Sequence, residues 1–192
     1  MDDYREYLVE PLRDLIQLFG ELEIPYALMG GMAVSVHGIP RPTHDLDFTI
    51  SIDRHRLPEF YAAVEQCGYS VPEVYGTGWV DQVADMPLVR VRQWVDGKVI
   101  DIDLFLSESA FQESLLSRRK EFLVEGNLAW VVTPEDLILL KLIAGRPRDM
   151  GDIQDILMAQ GQLDGEYLKV WAKRLEVTDR LDEALKLYDE LT

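Results

Sequence analysis

Cysteine is nearly missing from this chain. Cys67 is the one cysteine in 192 residues, which precludes an internal disulfide and leaves no thiolate cluster for zinc. In the context Glu65-Gln66-Cys67-Gly68 it reads as a residue at the end of a helix. Basic residues are also scarce, with 19 Lys and Arg against 35 Asp and Glu and a formal net charge of -16. That balance argues against a broad nonspecific grip on nucleic acid, which needs clustered cations to displace counterions, although a local basic groove is still allowed. No apolar run approaches the ~20 residues that span a bilayer, and the opening Met1-Asp2-Asp3-Tyr4-Arg5-Glu6 is acidic without an apolar stretch behind it. A soluble chain with no membrane partner is expected, with the cytoplasm as its natural compartment. Internal repeats, low-complexity tracts and flexible linkers are lacking too. The apolar content of 47% is enough for one globular domain with a real core, or for such a domain with a helical appendage; one domain plus appendage is expected.

What the chain does have is Gly30-Gly31, followed by Asp45-Leu46-Asp47 and later by Asp101-Ile102-Asp103. In an extended strand residues i and i+2 point to the same side, so Asp45 and Asp47 hold two carboxylates together while Leu46 and Phe48 turn toward a core. Two like charges that close need a cation. Hard oxygen ligands without a Cys or His cluster favour Mg2+ or Mn2+ over zinc, and Mg2+ commonly completes its shell with water and substrate phosphate. Tyr26 to Met29 reads as a short apolar strand, Gly30-Gly31 as its exit turn, and Met32 to His37 as a short helix closed by Gly38. Backbone N–H groups at such a helix start suit a phosphate. Taken singly, an Asp-x-Asp in an acidic chain arises by chance and Gly-Gly is an ordinary tight turn; their spacing is what joins them.

Elsewhere the periodicity sets the frame. Tyr4 to Leu22 carries a helical stripe of Leu8, Leu12, Leu15, Ile16, Phe19 and Leu22, with Pro11 near its start or at a kink. Asp53 can cap a helix whose Leu57, Phe60, Tyr61 and Val64 share a face, ended by Gly68. Residues 70 to 87 are the longest irregular stretch, of the kind that often borders substrate sites. Ser107 to Lys120 reads as helix and Leu128 to Val132 as a last strand. Thr133-Pro134 then starts a region that is helical to the end.

Leu88 to Val95 and Lys98 to Phe105 alternate as strands around Asp96-Gly97, a strong two-residue hairpin turn. If those two residues form the loop, Arg92 faces Asp101 and Arg90 faces Asp103. All four then lie on one face, with Val89, Val91, Ile100, Ile102 and Leu104 on the other. The charged face is either a cross-strand salt-bridge ladder or the floor of a metal-phosphate site.

The run Leu28-Met29-Gly30-Gly31, thirteen residues, then Asp45-Leu46-Asp47-Phe48 resembles the signature of the nucleotidyltransferase superfamily with the DNA polymerase beta-like fold. The segments Thr133 to Leu142 and Arg146 to Ile153 resemble its AbiEii/MNT-type branch, which includes toxins of bacterial toxin-antitoxin pairs. The resemblance covers roughly residues 20 to 160. It implies an α/β (α+β) fold in which a mixed sheet is flanked by helices, with residues 1–132 as the catalytic core and 133–192 as a helical region packed on it. It also implies metal-dependent transfer of NMP from an NTP to a hydroxyl-bearing acceptor, with release of pyrophosphate. The acceptor would be tRNA, a protein or a small molecule such as an antibiotic, and an antitoxin protein is a possible partner. The alternative is an inactive member of the fold that acts as a binding module through a protein partner.

The resemblance also suggests roles for residues. Asp45 and Asp47 would hold two Mg2+ or Mn2+ ions, with Asp103 as the third carboxylate and Asp101 as its close alternative. Gly30 and Gly31 would cradle the nucleotide. In this branch a lysine at the place of Lys141 contacts the nucleotide phosphates, whereas by composition alone it can snorkel from an apolar helix. Asp152 matches a fourth-motif acid, or is simply a first-turn carboxylate favoured by the helix dipole. Arg41, Thr43 and His44 lead into the metal strand, where Arg41 and Thr43 could touch phosphate or acceptor. His44 reads as a polar loop residue rather than a general base.

Overall fold

The computed structural model describes residues 6–83 and 85–191. Tyr4, the expected start of the first helix, lies outside them. Helix α1 (Glu6–Glu21) buries Leu8, Leu12, Leu15 and Phe19, the stripe its 3.6-residue period dictates. Strand β1 (Tyr26–Met29) is buried at every position. It runs into α2 (Gly30–His37), then β2 (Asp45–Ile50) and, after a 3-10 turn at Arg54–Arg56, α3 (Leu57–Gln66). A single turn of helix, α4 (Glu73–Gly76), precedes β3 (Asp81–Val83), β4 (Met86–Val95) and β5 (Lys98–Leu106). Next come α5 (Ala110–Arg118), β6 (Lys120–Val124) and β7 (Asn127–Val131). The chain closes with α6 (Pro134–Ala144), α7 (Asp149–Ala159), α8 (Gly165–Arg174) and α9 (Thr178–Leu191).

Among the described residues seven strands form one mixed sheet in the order β3-β4-β5-β2-β1-β7-β6. β1 runs antiparallel to β2 and parallel to β7, and β2 runs parallel to β5. Asp96 and Gly97 both take positive φ, 48° and 77°, so the β4–β5 hairpin closes on the two residues expected. The register follows: Arg90 faces Asp103 and Arg92 faces Asp101, while Val89, Val91, Ile100, Ile102 and Leu104 are fully buried on the other face.

The apolar face of β2 packs under α1 and α3. Phe19 meets Phe48 edge-on at 5.4 Å between centroids and stacks on Phe60 at 6.2 Å. Because side chains alternate, Asp45 and Asp47 point to the opposite face, where α6 supplies the cover. The C-terminal helices are keyed by a buried polar cluster: Thr133 Oγ1 donates to Asp136 Oδ2 at 2.6 Å and Tyr167 Oη to Asp136 Oδ1 at 2.5 Å. Arg118 stacks on the Tyr167 ring at 3.7 Å.

Several local expectations are corrected. The α2 helix begins at Gly30 itself, two residues earlier than the apolar run suggests. Asp53 makes no capping hydrogen bond, because a 3-10 turn intervenes before α3. The 70–87 stretch contains α4, β3 and a bridge from Ser70 to Arg92; three-residue pairings are too short to show alternation. The helix over 107–120 starts at Ala110 and ends at Arg118, since Lys120–Val124 pairs with β7 as an edge strand through a turn at Glu125-Gly126. The charges flanking Phe122 and Leu123 had masked that strand.

Candidate active site

Register assembles the site. In the parallel β2–β5 pair Asp45 lies beside Asp101 and Asp47 beside Asp103, and across the hairpin come Arg92 and Arg90. Residues paired in adjacent strands share a face, so four carboxylates and two guanidiniums occupy one patch. Arg90 grips Asp103 with two parallel bonds, Nε to Oδ1 at 2.6 Å and Nη2 to Oδ2 at 2.9 Å. Arg92 Nε donates to Asp101 Oδ1 at 2.6 Å. The hairpin therefore forms the salt-bridge ladder and delivers it to the edge of the Asp45/Asp47 pair.

Among the described residues no Lys or Arg pairs with Asp45 or Asp47 in this way. Asp45 Oδ1 accepts from Thr43 Oγ1 at 2.9 Å. Asp47 is packed onto the backbone of Gly30, where φ is +64° and an added Cβ would stand 1.8 Å from Asp47 Oδ2. Gly31 leaves space in the same way for Thr43, whose Oγ1 would lie 2.4 Å from an added Cβ. The two glycines thus permit a direct approach of the β2 carboxylates to the first turn of α2. Burial, then the charges of Asp45 and Asp103, push the Asp47 carboxyl up to about 7, against a smaller opposing pull from Lys141 and Arg146. Uncompensated negative charge held against free helix N–H groups fits a hard cation plus phosphate. Among the described residues no group of three or more His, Cys, Asp or Glu side chains is arranged so that it could hold a metal ion; with Asp103 held by Arg90, the cation-seeking pair is Asp45 and Asp47.

Behind them lies a second network. Lys141 is buried, and its Nζ donates to Asp152 Oδ2 at 2.6 Å and to Asp149 Oδ1 at 3.0 Å. Arg41 takes the other side of Asp152, Nε to Oδ1 at 2.6 Å and Nη2 to Oδ2 at 2.9 Å. Burial raises the Asp152 pKa, but the hydrogen bonds from Arg41 and Lys141 overcome it and leave it lowered. The snorkelling alternative for Lys141 is thereby excluded, since its ammonium is not in water. Asp152 is more than a first-turn carboxylate: it ties the loop before β2 to α6 and α7. His44 sits exposed immediately before β2.

A narrow pocket of about 50 Å³ joins the two networks. Gly30, Asp47, Lys141, Arg146 and Asp149 give its polar side, and Met29, Val83, Met86, Phe105, Leu137 and Leu140 its apolar wall. Sequence reasoning had not placed Arg146 or Asp149 here. The partner of Arg90 was readable from the hairpin; Asp149 reaches Lys141 only because the turn after α6 folds α7 back, which local spacing does not reveal.

Solved structures share this architecture. The chain is 19% identical to an antigenic nucleotidyltransferase-like protein from Paracoccidioides brasiliensis, covering 93% of this chain and 92% of that one, with a TM-score of 0.53. It is 16% identical to the antibiotic-resistance factor ANT(2'')-Ia in its solution structure, covering 96% and 97%, with a TM-score of 0.56. A crystal structure of ANT(2'')-Ia in complex with adenylyl-2''-tobramycin matches over 88% and 97% with a TM-score of 0.57 at 16% identity. At these identities the likeness is one of fold. No curated protein matches the sequence. A model of the nucleotidyl transferase AbiEii toxin family, of type IV toxin-antitoxin systems, matches residues 15–190, nearly the whole chain, and the protein accordingly belongs to the AbiEii nucleotidyl transferase family.

Proposed function

We propose that the protein transfers NMP from an NTP to a hydroxyl-bearing acceptor and releases pyrophosphate, with Mg2+ or Mn2+ as cofactor. The observation that carries this reading is the Asp45/Asp47 pair seated on the Gly30-Gly31 turn, with Asp47 poorly compensated by any protein cation. Asp45 and Asp47 would hold the metal, which when bound neutralises triphosphate charge and favours ionisation of the acceptor hydroxyl. The chain's own groups then position the reaction. First-turn N–H groups of α2 face the phosphates, and Thr43 orients Asp45 through its hydroxyl. Asp103 stands next to Asp47 in register and would take the acceptor proton or complete the metal shell once Arg90 lets go of one oxygen. Asp101, nearer solvent and held by Arg92, is the less suited of the two. Attack in line at the α-phosphorus needs no covalent enzyme intermediate, so positioning and charge neutralisation supply the rate effect.

The candidate acceptors are a tRNA end, a protein side chain or a small molecule, and the type IV family supports an antitoxin as partner. Among the described residues no helix is long and apolar enough to cross a membrane, and the free exposed thiol of Cys67 fits the cytoplasm. Incubation with each labelled NTP, Mg2+ and a total cell lysate is expected to place label on one acceptor class, and Asp45→Asn/Asp47→Asn to abolish it. Absence of transfer from all four NTPs would sink the transferase reading in favour of a binding module.

A further inference from the structure

The pocket beside Asp47 contains two cations from α6 and the turn after it, Lys141 and Arg146, and their circumstances differ. Lys141 is committed: Asp149 and Asp152 both accept from its Nζ, and Arg41 takes the remaining Asp152 valences. Arg41 and Lys141 contribute two positive charges, Asp149 and Asp152 two negative, so this buried network is neutral as it stands. Two of the three Lys141 Nζ donors are used in this way, and Lys141 still lines the pocket beside Asp47.

Arg146 is different. Its backbone N–H donates to Asp149 Oδ2 at 2.8 Å, which anchors the turn, while among the described residues its guanidinium has no carboxylate or carbonyl partner. The residue is exposed, yet it lines the pocket with Gly30 and Asp47. A guanidinium anchored through its own backbone, with five unused donors at the mouth of a pocket whose floor is a helix N-terminus, has the geometry to bind a phosphate group bidentately.

Resting on the nucleotidyl transfer reading, we propose that Arg146 recognises the nucleotide's terminal phosphates, while Lys141 also fixes Asp149 and Asp152 in the buried network.

The experiment is calorimetric titration of wild type, Arg146→Gln, Arg146→Lys and Lys141→Met with ATP, GTP, CTP and UTP in Mg2+, and with the nucleoside of whichever binds. Arg146→Gln is expected to weaken the NTP by about tenfold or more while leaving nucleoside affinity and the apo melting temperature unchanged, because a charge-assisted pair is lost from an exposed site. Arg146→Lys should fall between, keeping the charge and losing the fork. Lys141→Met should lower the apo melting temperature, unlike Arg146→Gln, because it leaves Asp149 and Asp152 buried without the ammonium. Equal NTP affinity in wild type and Arg146→Gln overturns the assignment and leaves nucleotide binding intact; so does an equal loss for nucleoside and NTP in that variant. Failure of wild type to bind any of the four overturns this assignment and the transferase reading together.

Discussion

At the scale of single residues, Lys141 and Asp47 illustrate opposite ways of holding charge in a covered site. Lys141 is 7% exposed between two carboxylates that are themselves buried. Replacing it with Met keeps the apolar stem but strands Asp149 and Asp152, of which Asp152 alone retains a cation, Arg41. Lys141→Met is therefore expected to destabilise the apo protein by about 3 kcal/mol in urea unfolding; an unchanged midpoint would show that the network contributes nothing to folding. Asp47 carries its charge against neighbours of the same sign. With a folded pKa raised from 3.8 to about 7, the native state binds more protons than the unfolded state across that window. Its contribution to stability therefore falls as pH rises from about 4 to about 7. Asp47→Asn should remove that part of the pH dependence and raise the apo melting temperature at neutral pH. Mg2+ should stabilise wild type more at about pH 8 than at about pH 5, since protons compete with the metal for this carboxyl. Identical melting profiles for wild type and Asp47→Asn over this range would remove Asp47 as the perturbed group.

At the scale of elements, Gly30 and Gly97 both take positive φ and do different work. Gly97 closes the β4–β5 hairpin with no atom within 4 Å of an added Cβ, whereas at Gly30 the added Cβ collides with Asp47 Oδ2. Gly97→Ala should cost about 1 kcal/mol of backbone strain and leave Mg2+–NTP stabilisation unchanged, while Gly30→Ala should destroy it. Thermal shifts with and without Mg2+ and NTP separate the two, and a normal shift in Gly30→Ala would refute the close-approach role of that turn. The same elements mark how far the sequence could be read. Arg90 opposite Asp103 and Arg92 opposite Asp101 followed from a two-residue turn, because hairpin register is local arithmetic. The alignment of Asp45 with Asp101 and Asp47 with Asp103 was not legible, since parallel β2 and β5 are joined through α3, α4 and two further strands. Strands β3 and β6 were missed for lack of length and of alternation, and the grip of Asp149 on Lys141 because it crosses a turn between helices.

At the scale of the molecule, the site depends on helices from the end of the chain. Lys141 on α6 lines the pocket with Asp47 and Asp152 on α7 holds Arg41 of the loop before β2, and α9 is tied to these helices: Arg180 Nη1 donates to the Leu142 carbonyl at 2.6 Å and Gln154 Nε2 to that of Ala184 at 2.8 Å. The α8 helix is keyed through Tyr167, whose hydroxyl reaches Asp136, a carboxylate with no exposed surface. Such a key couples α8 to α6, the helix whose Lys141 lines the pocket beside Asp47, so that α8 and the rest of the molecule should unfold together. Tyr167→Phe leaves the ring and its stacking on Arg118 but removes one donor from a buried carboxylate, which should cost about 1–3 kcal/mol. None of the residues lining the Asp47 pocket lies on α8, so NTP affinity should stay at the wild-type value while the midpoint of a single transition moves down. Two separated transitions in calorimetry, in wild type or in Tyr167→Phe, would mean that the helices after α7 fold as a unit of their own and that the contact of Tyr167 with Asp136 does not couple them to the rest of the molecule.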